Sequence, residues 1–136
     1  MISFNYETDF KLEEGKQLSD WITRTILEEN CKEGDINYIF CSDDYLHKIN
    51  LDFLDHDTLT DIISFDYSVG KELHGDIYIS VDRVKENAMD FGVSLKDEMS
   101  RVMIHGVLHY CGYKDKSRED LNQMRLKEDY YLSKRN

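Results

Sequence analysis

The sequence predicts an α+β fold, a small mixed β-sheet covered by helices, and two observations carry that prediction. Short runs rich in β-branched and aromatic residues are interleaved with longer stretches whose apolar residues recur at helical spacing, and two of the strand-like runs are separated by only a short turn containing Gly70. A length of 136 residues is that of one domain, 1–136. Hydrophobic residues at 40% and charged residues at 33% place the chain with globular proteins and not with disordered ones.

Each element has its own signal. Ile2 to Tyr6 alternates apolar and polar as a strand does. Leu18, Trp21, Ile22, Thr25 and Ile26 form the stripe of an amphipathic helix running from about Glu13 to Glu29. Ile36, Tyr38 and Phe40 alternate as a second strand. Ser42, followed by Asp43 and Asp44, reads as the cap of a helix that carries Leu46, Ile49 and Phe53. Ile62 to Tyr67 and Asp76 to Val81 read as two further strands, and Val81 to Phe91 as a short helix. Ser94 with Asp97 resembles a capping box, and Leu95, Met99, Val102, Met103 and Gly106 continue it as a helix ending near Gly112. Ser117 caps a last helix with Leu121, Met124, Glu128, Tyr131 and Leu132 along one side.

Composition narrows the function. No apolar run approaches the ~20 residues of a membrane span, and the N-terminus lacks the basic and apolar regions of a secretory signal, so a cytoplasmic protein without a membrane partner is expected. Cys31, Cys41 and Cys111 are odd in number and form no C-x-x-C pair; they read as small buried residues of a protein in a reducing compartment. The formal net charge is -11, yet it is unevenly spread. Residues 1–76 carry 18 acidic against 6 basic side chains, and residues 77–136 carry 10 against 11. A polyanionic ligand is expected to meet the surface built by the C-terminal part.

The chemistry concentrates on the fourth helix. His105 and His109 stand four residues apart, about 40° around the helix and about 6 Å along it, so both imidazoles can reach one ion. Gly112 and Tyr113 end the helix and let Asp115 return a carboxylate as third ligand. Three protein ligands leave the open coordination of a catalytic zinc site, one ion per chain. His56 and His74 are weaker candidates for the third ligand, His47 reads as exposed, and Cys111 points away from the paired histidines. Thr60, Asp61 and Ser64 either edge the cleft or cap and pair a strand.

The run from His105 to Asp115 resembles the H-G-x-L-H-x-x-G-Y-D-H signature of the YbeY family of metal-dependent endoribonucleases, the rRNA maturation factors. Thr60 to Phe65 is similar to the family's T-[DN]-V-L-S-F strand and Gly75 to Ser80 to its G-D-I-x-I-S strand. The resemblance implies a zinc ion, cleavage of single-stranded RNA, and work on ribosomal RNA 3' ends and in ribosome quality control, with the ribosome or its associated proteins as partners and no DNA substrate. Two departures from the family pattern carry chemical weight. Asp115 stands where the family has a histidine, and Leu54 stands where its N-x-x-Y-R motif has an arginine. Lys114, Lys116 and Arg118 are the expected cationic substitutes on the RNA side.

Two other functions compete. A zinc peptidase of zincin type also carries H-x-x-x-H, but Gly106 occupies the position of that enzyme's catalytic glutamate. A ribosome-assembly binding factor with a structural metal and little nuclease activity is favoured by Leu54 and by the acidic first half. No general base is assigned.

Overall fold

The computed structural model describes residues 1–54 and 60–135. Along the chain run β1 (Ile2–Tyr6), α1 (Gly15–Glu28), β2 (Lys32–Cys41), α2 (Asp43–Leu54), β3 (Ile62–Asp66), β4 (Glu72–Ser80), α3 (Val81–Phe91), α4 (Leu95–Tyr110) and α5 (Arg118–Leu132). The strands form one mixed sheet in the order β1-β2-β4-β3, with β1, β2 and β4 parallel and β3 antiparallel to β4. The α+β expectation holds, and every expected strand and helix is present.

Two strands are longer than the sequence suggested. The second begins at Lys32 and not at Ile36, and the fourth at Glu72 and not at Asp76, because those polar segments pair with one another, Lys32 opposite Glu72 and Glu33 opposite Leu73. A register shift between Glu33 and Ile36 breaks the alternation there, which is why periodicity did not reveal the extension. The first helix starts at Gly15, two residues later than expected, after Glu14 in a left-handed conformation.

Period-two alternation divides the sheet residues between two cores. Ile36, Tyr38 and Phe40 of β2 and Ile77 and Ile79 of β4 are fully buried in one cluster with Trp21 and Ile22 of α1 and Met103 and Val107 of α4. Opposite-parity residues Cys41 and Ile63 join Leu46 of α2 in a smaller cluster, with Phe65 and Tyr78 packed against it. Of the cysteines, Cys41 is buried as expected, whereas Cys31 and Cys111 are half-buried at the margin of the larger core.

Buried hydroxyls and ring nitrogens then fix the layers in place. Tyr38 donates from its hydroxyl to the Met103 carbonyl at 2.9 Å, tying β2 to the middle of α4. Trp21 donates its indole N–H to the Tyr131 carbonyl at 2.8 Å, tying α1 to α5. At the end of α4, the Tyr110 hydroxyl donates to the Phe65 carbonyl at 2.9 Å. The long helix is thereby held at both its middle and its end, and its histidines emerge at a defined place between the sheet and α5.

Candidate metal centre

Helix α4 is buried along most of its length, and its N-terminus is capped by Ser94, whose hydroxyl accepts from the Asp97 N–H. Gly106 sits between the two histidines against β4. A Cβ there would lie 3.0 Å from Ile77 Cδ1 and 3.2 Å from Ile62 Cδ1, so the backbone of α4 packs close to the sheet and a larger residue would have to displace these two side chains. With glycine in the position of the zincin glutamate, the side chain that a peptidase uses as general base is missing, which counts against that alternative.

Beyond Tyr110 the helix ends and the chain reverses at Gly112, whose φ of +107° is a conformation that L side chains rarely adopt. This turn returns Asp115 to the histidines. Its Oδ2 lies 3.2 Å from His109 Nε2 and 3.7 Å from His105 Nε2. One donor atom from each of His105, His109 and Asp115 falls within 4.8 Å of the other two, and among the described residues this is the group with that property.

The tautomers decide what the cluster can hold. His105 Nδ1 lies 2.6 Å from Glu128 Oε2, and an ionised carboxylate only accepts, so Nδ1 carries the proton. His109 Nδ1 lies 2.9 Å from the Tyr113 carbonyl, another obligate acceptor, so it too is protonated at Nδ1. In their neutral forms both rings then turn a bare Nε2 inward, the two 2.9 Å apart and beside a carboxylate oxygen. With both rings neutral, these three inward acceptors are balanced by a shared proton or by a metal ion. Two imidazole nitrogens and a carboxylate form a donor set suited to a divalent transition metal, with coordination left open for substrate.

Glu128 was placed by sequence on the inner stripe of α5 without a role, and it is the main functional residue that the sequence reading missed. It is 5% exposed and is itself held by Arg101, whose Nη1 donates to Oε1 at 2.9 Å while Nη2 reaches Asp129 at 2.6 Å. Burial works against a charged His105, but the Glu128 hydrogen bond and charge outweigh it and raise the imidazole's pKa. The same partner makes the imidazole a more basic ligand. An acid on an otherwise apolar helical stripe was the available signal.

The remaining candidates separate cleanly. His74 lies in β4; its Nδ1 accepts from the Asp35 N–H at 3.0 Å and its Nε2 lies 3.2 Å from Glu72, which commits it away from the centre. His47 is half-buried on α2 instead of exposed. His56 lies outside the described residues. Thr60 bonds locally, its hydroxyl donating to the Ile62 carbonyl at 3.2 Å, and Ser64 pairs in β3 opposite Ile77. Asp61 borders the cavity beside His105, and burial raises its carboxyl pKa above the ordinary range despite the opposing influence of His105. Lys114, Lys116 and Arg118 are all exposed around the turn that delivers Asp115.

The profile of the family described as endoribonuclease YbeY matches residues 2–136. This chain belongs to the endoribonuclease YbeY family. Among similar proteins, the endoribonuclease YbeY of Flavobacterium psychrophilum is 64% identical over 132 residues, covering 97% of this chain and 94% of that protein. The endoribonuclease YbeY of Flavobacterium johnsoniae is 60% identical over 129 residues, covering 95% and 93%. In three dimensions the chain is similar to a protein of Thermotoga maritima known from a solution structure, with a TM-score of 0.69 at 26% identity, over 99% of this chain and 89% of that one. The YbeY resemblance read from the His105–Asp115 run, and the fold expected with it, are therefore borne out.

Proposed function

We propose that this chain is a single-domain, metal-dependent endoribonuclease that cleaves single-stranded RNA, acting on ribosomal RNA 3' ends in maturation and ribosome quality control. His105, His109 and Asp115 hold one divalent cation, zinc by preference of the donor set. The observation that carries this reading is the convergence of His105 Nε2, His109 Nε2 and an Asp115 oxygen, with each ring held by an acceptor on its Nδ1. When bound, the cation supplies Lewis-acid stabilisation of charge on a phosphodiester oxygen.

The chain's own residues do the rest. Glu128 and the Tyr113 carbonyl hold the two imidazoles in their tautomers, and Arg101 orients the Glu128 carboxylate. Lys114, Lys116 and Arg118 surround the turn bearing Asp115 and attract the RNA backbone. The competing binding-factor reading draws on Leu54, which is exposed and carries no charge where the family has arginine. Incubation of metal-loaded protein with single-stranded RNA separates the two. Cleavage that disappears in His109→Ala supports the enzyme; intact RNA with stoichiometric metal present sinks it.

A further inference from the structure

Beside the metal centre, on the α3 and α5 side of His105, lies a cavity of about 280 Å³. One end is bounded by His105 and Glu128, so whatever occupies it is next to the bond being cut. Its walls include Val102 and Met124, and at its mouth stand Phe91 and Leu121, which are 62% and 52% exposed. Apolar rings and chains left open to solvent at the rim of a catalytic cleft form a surface on which a planar ligand can stack.

The cavity also contains a polar group without a partner. Glu98 is only 6% exposed, yet among the described residues no hydrogen bond or ion pair satisfies its carboxylate. Arg101 lies near enough to influence it, but that guanidinium donates to Glu128 and Asp129 instead. Burial accordingly pushes the Glu98 carboxyl above its ordinary range. Its oxygens are not sealed from solvent but belong to the cavity lining, so a ligand seated there can bring the donors that the described residues do not. Asp61 and the Asn87 amide border the same space.

We propose that this cavity receives one unpaired base of the RNA substrate, with guanine preferred through a pair of hydrogen bonds to Glu98. The proposal rests on the nuclease reading for the identity of the polymer and on the cavity's chemistry for the base. A carboxylate offers two parallel acceptors and no donor. Guanine presents N1–H and N2–H side by side and matches both. Adenine and cytosine offer one exocyclic amino group, and uracil offers one imino N–H between two carbonyls that the carboxylate repels. Asn87 is able to donate to guanine O6, and Arg125, exposed at the rim, is available to the adjoining phosphate. Metal ligation by these acids is disfavoured, since no three donor atoms of Asp61, Glu98 and Glu128 meet the spacing found at the histidine centre.

The test is a calorimetric titration of the purified protein with 5'-GMP, 5'-AMP, 5'-CMP and 5'-UMP, repeated on Glu98→Gln and on Leu121→Trp. GMP is expected to bind about tenfold more tightly than UMP. Glu98→Gln should erase the difference, and Leu121→Trp, which fills the mouth without touching a carboxylate, should weaken all four nucleotides. Equal affinities, or a guanine preference that survives Glu98→Gln, overturns the proposal; should Glu98→Gln fail to fold, Leu121→Trp decides. Competition with GMP by a lysine-rich peptide of higher affinity would assign the cavity to a protein partner and also overturn it. Cleavage of single-stranded RNA is measured in parallel. Guanine selectivity without cleavage supports the cavity assignment and removes the nuclease reading, whereas cleavage without selectivity does the reverse.

Discussion

Glu128 shows how much of the centre depends on a residue that touches no ion. It fixes the proton of His105 on Nδ1, and Arg101 in turn fixes Glu128. Glu128→Gln keeps the shape but removes the charge, and it lets the amide nitrogen turn toward the ring and favour the wrong tautomer. Metal affinity is expected to fall about 10- to 100-fold, measured by competition with a chromogenic chelator. An unchanged affinity would show that His105 is oriented by packing alone. Asp115→Ala, which removes a donor outright, should weaken binding at least as much. His105, His109 and Asp115 were legible in the sequence because helical spacing and a glycine turn are local features. Glu128 was not, because its partner lies 23 positions away and only the packing of α5 on α4 brings the two together.

At the scale of elements, the α4–β4 contact and the junction of α1 with α5 each give a measurable consequence. Gly106→Ala places a methyl 3.0 Å from Ile77 Cδ1, and the crowding is set against the roughly 1 kcal/mol that alanine gains over glycine inside a helix, so a melting temperature no higher than the parent's is expected. Glu29, just past the end of α1, accepts from Tyr113 at 2.7 Å, from Tyr131, and from Lys127 at 3.3 Å. Burial raises its carboxyl pKa, but these donors more than offset burial and leave it below the ordinary value. A carboxyl with a depressed folded pKa adds stability that is complete above its unfolded pKa, about 4.3, and lost as pH falls through the folded value. Glu29→Gln should therefore be less stable than the parent at pH 7, by on the order of 2 kcal/mol. The two melting temperatures should converge as pH falls through that folded value, and a gap independent of pH would exclude the linkage. Element identities were readable because each carries its own periodicity or cap, as Ser94 and Ser117 do. The early parts of β2 and β4 were not, since Lys32 and Glu72 become strand only by pairing with each other.

For the whole molecule the decisive property is the division of charge, 18 acidic against 6 basic side chains before residue 77 and near balance after it. The candidate metal centre and its neighbouring cations belong to the balanced part, since α4, the turn with Lys114 and Lys116, and α5 all follow β4. RNA approaching through the acidic half meets repulsion over several ångströms, whereas approach along the turn meets exposed Lys114, Lys116 and Arg118. Binding should accordingly be weak and should rest on few phosphate contacts. For single strands the logarithm of affinity falls with the logarithm of salt at a slope of about -0.7 per neutralised phosphate. Three engaged cations give a slope of about -2, and Lys114→Glu with Lys116→Glu should reduce both the affinity and the slope. Fluorescence anisotropy of labelled single-stranded RNA between low and physiological salt measures both quantities. A slope unchanged by the double substitution would place the RNA on another face of the protein, and an affinity indifferent to salt would mean that delivery by a ribosomal partner replaces direct electrostatic capture.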